Sequence, residues 1–75
     1  ENINVQNVKL YPSIANETVT IVADAAATAY IYNATGTKMA TIALAQGNNT
    51  VDVSQFTPGI YLVKVNKNTL KFIKK

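Results

Sequence analysis

A chain of 75 residues is long enough for one small core and too short for a catalytic cleft between two domains. Its composition, 48% hydrophobic and 15% charged, is globular and excludes a disordered tail, and with no cysteine there is no disulfide framework to hold it. The net charge of +3 comes from seven lysines and no arginine, a balance that argues against nucleic acid, whose readers favour the planar guanidinium fork.

No apolar run approaches the roughly 20 residues of a membrane span. The chain opens at Glu1 with neither a methionine nor a signal-peptide pattern, so it reads as a fragment of a longer protein with its targeting sequence upstream. Apolar residues recur at strand spacing throughout, and no segment has the length and period of a helix. A first strand is expected over Ile3–Leu10, with a change of register at Gln6-Asn7 that a β-bulge would absorb. Tyr11-Pro12 ends it, because proline cannot donate to a ladder.

Ser13–Glu17 reads as a loop and Thr18–Ala23 as the second strand, with Val19 and Ile21 on one face. Asp24–Ala27 is turn material. Strands over Thr28–Asn33 and Thr37–Leu44 flank the tight turn Ala34-Thr35-Gly36, in which Gly36 supplies a positive φ. A turn at Ala45–Asn48 precedes a fifth strand, Asn49–Val53.

Pro58-Gly59 reads as a turn, since proline presets φ and glycine accepts a positive φ after it. Ile60–Val65 follows as the sixth strand, with Lys64 at an alternating position that reaches water. Asn66–Asn68 returns the chain into the seventh, Thr69–Lys74. Seven short strands with tight or medium connections predict an all-β fold, an immunoglobulin-like antiparallel β-sandwich, with a small OB-type barrel as the alternative. Residues 1–75 read as a single domain.

Catalysis is argued against residue by residue. There is no histidine or cysteine, hence no common general base at neutral pH and no thiolate. The acids Glu1, Glu17, Asp24 and Asp52 are widely separated, and no cluster offers three metal ligands. The three glycines stand singly rather than in a phosphate loop. No cofactor is expected. The sequons at Asn16, Asn33 and Asn48 read as turn chemistry.

Taken in order, Leu10-Tyr11-Pro12, Val19-Thr20-Ile21, Ile31-Tyr32-Asn33 with Gly36, Asn49–Ser54, Pro58-Gly59-Ile60-Tyr61 and Lys71-Phe72-Ile73-Lys74-Lys75 resemble the type A C-terminal sorting domain of type IX secretion cargo from Bacteroidetes. The resemblance runs from about Lys9 to Lys75. It implies a non-catalytic secretion signal that targets an upstream cargo, via the periplasm, to the outer-membrane type IX translocon. It also implies removal by a sortase-like protease at the cell surface, often with anchoring of the cargo to an anionic lipopolysaccharide. The family usually continues Tyr-Pro with Asn-Pro. Here Ser13-Ile14 follows, and the second proline is absent.

The resemblance assigns translocon recognition to Lys71, Phe72, Ile73, Lys74 and Lys75, with the three lysines in direct contact. Tyr11, Pro12, Gly36, Pro58, Gly59 and Tyr61 shape the signal. Bland readings compete: Tyr61 as a buried ring whose hydroxyl finds a partner, and Lys71–Lys75 as an edge strand guarded by lysine. A basic, partly apolar end is equally a handle for strand addition or carboxylate capture, and its exposed edge would permit a weak dimer. Tyr11, Tyr30 and Tyr32 suggest an alternative function, an accessory carbohydrate-binding or adhesion module of an extracellular enzyme.

Overall fold

The computed structural model describes residues 8–75, so the expected bulge at Gln6-Asn7 lies outside the described residues. Among these residues there are eight strands and no helix: β1 (Val8–Tyr11), β2 (Ile14–Ala15), β3 (Thr18–Ala23), β4 (Ala27–Asn33), β5 (Lys38–Leu44), β6 (Gly47–Asp52), β7 (Gly59–Val65) and β8 (Asn68–Lys74). They form a three-stranded sheet, β1-β3-β6, and a five-stranded sheet, β2-β8-β7-β4-β5. The fold is the expected all-β sandwich of immunoglobulin-like form.

Alternation builds the core from both sheets. Val19, Ile21 and Ala23 of β3 and Val51 of β6 face Ala29, Ile31, Tyr61, Val63, Val65 and Phe72 of the larger sheet, and all are buried. Tyr61 and Phe72 are the largest fully buried side chains. Each such side chain contributes about 1.5–3 kcal/mol by leaving water.

Two expectations need correction. Ser13–Glu17 is not all loop, because Ile14-Ala15 forms β2, and β2 runs parallel to β8 with Ile14 opposite Ile73 and Ala15 opposite Lys74. The start of the chain is therefore split between the sheets: β1 pairs with β3, and the chain crosses at Pro12, after a cis peptide bond, to close the edge of β8. Pro58-Gly59 is not the tight turn either. The hydrogen-bonded turn lies earlier, where the Phe56 N–H donates to the Val53 carbonyl at 3.0 Å, and Gly59 already opposes Lys74 in β7. Its φ of 152° lies where only glycine is comfortable, although a Cβ there would meet nothing within 4 Å.

Polar side chains close the connections. The Asn33 carboxamide oxygen accepts from the backbone N–H groups of Thr35 and Thr37 at 3.1 and 2.9 Å and from the Thr35 hydroxyl at 2.8 Å. That turn is completed by Gly36 at φ 91°. Between β5 and β6, where the chain changes sheets, Asn49 accepts from the Ala45 N–H and donates to the carbonyls of Ala45, Gly47 and Ile21. After β6, the Ser54 hydroxyl and then its N–H hold the Asp52 carboxyl below the ordinary carboxylate range. The N–H bond is 2.9 Å long.

Candidate recognition site

The β7–β8 hairpin presents the residues that sequence reasoning singled out. Its two strands oppose each other from Gly59–Lys74 to Val65–Asn68. The connection is Asn66-Lys67, with Asn66 at φ 55°, a left-handed angle that asparagine tolerates. The period of two divides the candidate segment. Lys71, Ile73 and Lys75 are exposed, whereas Phe72 is fully buried and Lys74 is only 8% exposed.

Phe72, expected within the recognition segment, is a core residue. Its ring stacks on Tyr61 at 5.3 Å between centroids, and Tyr61 packs on Phe56 at 5.0 Å. Lys74 points inward, and its ammonium donates to the Lys75 carbonyl oxygen at 3.1 Å, so its aliphatic stem covers apolar surface while the charge is satisfied at the rim. Of the three lysines expected in direct contact, Lys71 and Lys75 are exposed and Lys74 is not.

Tyr61 is 2% exposed, and its hydroxyl donates to the Thr57 carbonyl at 2.6 Å. A tyrosine at the start of a strand, bonding back to the backbone four residues upstream at the corner between two sheets, is the tyrosine corner of immunoglobulin-like sandwiches. Gly59 and Tyr61 therefore act together: the glycine takes the angle that lets the chain enter β7, and the tyrosine locks the corner. Pro58 lies exposed in the bend before it. Gly36 sits apart in the β4–β5 turn, and Tyr11 and Pro12 are exposed at the crossing from β1 to β2.

The edge of β8 is partly occupied. The N–H groups of Ile73 and Lys75 donate to the carbonyls of Ser13 and Ala15, each at 2.8 Å. Strand addition by a partner at this end of β8 would have to displace β2.

Sequence reasoning missed the neighbours that share the outer face of the five-stranded sheet. Ile60 opposes Ile73, which opposes Ile14, and all three are exposed. Lys71 opposes Leu62, Leu62 opposes Tyr32, and Tyr32 opposes Lys38 across a bulge at Ile31/Tyr32. Lys64 opposes Tyr30, and the Lys38 ammonium lies 5.3 Å from the Tyr30 ring centroid. The signal was available: apolar residues at both alternating positions of Ile60–Val63 mean that both faces of that strand are apolar.

Among the described residues no group of three acids could hold a metal ion, and no helix is long and apolar enough to cross a membrane. No curated protein matches the chain. A family model does: residues 9–75 match the secretion system C-terminal sorting domain, and with nearly the whole chain covered, this protein belongs to that family, the sorting domain of type IX secretion.

Proposed function

We propose that this chain is a non-catalytic sorting signal that brings an upstream cargo, through the periplasm, to the outer-membrane type IX translocon, and that a sortase-like protease removes it at the cell surface. Membership in the sorting-domain family carries the coarser part of this reading, export to the cell surface or beyond it. In support of the finer part, Lys71 and Ile73 of β8 and Lys75 just after it are exposed while Phe72 anchors the same strand in the core. Residues 1–75 act as one unit, and the chemistry of the secreted protein belongs to the cargo. A dimer through β8 would require β2 to leave its edge.

The test is secretion of a periplasmic reporter fused ahead of residues 1–75 in a type IX-competent bacterium. Deleting Lys71–Lys75 would also remove the Phe72 ring from the core, so charge is reversed instead, with Lys71→Glu and Lys75→Glu together. Secretion should fall about tenfold or more while the fold persists, since exposed substitutions change stability by only about 0.5 kcal/mol. Undiminished secretion would refute the role of this strand.

A second reading is favoured by one feature, an open groove of about 500 Å³ lined by Ala27, Thr28, Tyr30, Tyr32, Lys64 and Asn66. As a carbohydrate-binding or adhesion module, the chain would bind a glycan saturably, lose that binding with Tyr30→Ala or Tyr32→Ala, and be indifferent to Lys71 and Lys75.

A further inference from the structure

The outer face of the five-stranded sheet differs in kind from an ordinary solvated sheet face. Of the seven large hydrophobic side chains that stand exposed among the described residues, six (Ile14, Tyr30, Met39, Ile60, Leu62 and Ile73) belong to strands of this sheet. Register assembles all of them but Met39 into adjacent rows. Ile14, Ile73 and Ile60 form one row, Lys71, Leu62, Tyr32 and Lys38 the next, and Lys64 and Tyr30 the third. Cross-strand neighbours stand about 5 Å apart, so these rows are continuous surface.

Charge on this sheet has one sign. Strands β2, β4, β5, β7 and β8 contain no aspartate or glutamate, and Lys38, Lys64 and Lys71 are exposed on them. The described acids, Glu17, Asp24 and Asp52, all flank or end strands of the three-stranded sheet. A contiguous apolar patch rimmed by one charge is the mark of an interaction site. Four seven-residue strands lying side by side offer a face about 20 Å by 20 Å, the size of a transient rather than an obligate interface.

We propose that this face is the docking surface for an acidic protein surface of the type IX machinery, with an aliphatic centre seated on Ile60, Leu62 and Ile73 and carboxylates meeting Lys38, Lys64 and Lys71. The proposal rests on the sorting reading above and names the surface that reading uses. A second copy of the chain is the wrong partner for this face, because pairing it with itself would set lysines against lysines around the apolar centre. The apolar rows also extend well beyond the tyrosine groove and give a sugar little to bond.

The reporter fusion separates the claims. Lys38→Glu with Lys64→Glu, and separately Leu62→Asp, should each cut secretion about tenfold or more, with melting temperatures of the isolated chain near wild type. The matching change on the other sheet, Lys9→Glu with Thr50→Glu, should leave secretion unchanged. A photo-crosslinking phenylalanine analogue at Leu62 should capture a protein of the secretion machinery, and capture should fail in the Lys38→Glu, Lys64→Glu background. If Lys75→Glu alone blocks secretion while the face variants do not, this proposal is overturned and the sorting reading survives. If the wild-type fusion is not secreted, both fall. An adduct of two copies of the chain, an adduct with a glycan, or no adduct also overturns it.

Discussion

The two sheets of this sandwich have the same inside and different outsides. Inward, each alternates apolar residues into one core, with Val19 and Ile21 from one side and Val63, Val65 and the aromatic Phe72 from the other. Outward, the three-stranded sheet carries Lys9, Val22 and Asn48 in one row and Tyr11, Thr20 and Thr50 in the next, ending on Thr18 and Asp52. That is a threonine-rich surface of mixed charge, suited to water. The five-stranded sheet carries isoleucine, leucine, tyrosine and lysine. Folding demands only the inner pattern, so the excess apolar surface on one outer face needs a cause other than stability.

The largest test of this contrast is on the inside. Phe72→Ala removes a fully buried ring stacked on Tyr61 and should cost about 3–5 kcal/mol, against a total stability of order 5 kcal/mol for so small a domain. Urea denaturation should find the variant largely unfolded. A loss below about 1 kcal/mol would mean that β8 is not packed as described, and the division of Lys71–Lys75 into inner and outer residues would go with it.

Tyr61→Phe probes the corner that joins the sheets and should cost less. The ring and its contacts remain, and the hydroxyl's bonds to the Thr57 carbonyl and the Thr57 hydroxyl are lost. A loss of about 1–1.5 kcal/mol in chemical denaturation is expected, with secretion following stability alone. Secretion abolished in a variant that melts near wild type would give Tyr61 a direct role in recognition.

What was legible in the sequence followed from local physics. The alternation of Val19, Ile21 and Ala23 placed β3 and its inward face, and Gly36 marked a turn because its positive φ is a local need. β2 was not legible. Two residues have no periodicity, and their partner, Ile73-Lys74, lies nearly the whole chain away. The Pro58-Gly59 pair misled because its composition suits a tight turn, whereas Gly59 takes its unusual φ at the first position of an extended strand. The candidate site was half legible. Lys71–Lys75 reads as one block of sequence, and only its pairing with β7 shows that Phe72 and Lys74 face the core while Lys71 and Ile73 join Ile60 and Leu62 outside.

The smallest expected effect tells most about β2, which both caps β8 and adds Ile14 to the apolar face. Two of the bonds that tie it to β8 are accepted by the carbonyls of Ser13 and Ala15, the residues on either side of Ile14. Bonding in a parallel pair alternates along the strand, so the Ile14 N–H points away from β8. Ile14→Pro restores the proline usual in the family and should keep the cap. Stability should stay level or rise by up to about 1 kcal/mol, because proline restricts the unfolded chain, and the preceding Ser13 already lies on the approach to a strand, where a residue before proline belongs. The 53% exposed isoleucine is lost from the outer face, so the same variant should crosslink somewhat less well through position 62 while folding normally. A drop of about 2 kcal/mol in urea would instead show that β2 is held through the N–H that proline removes.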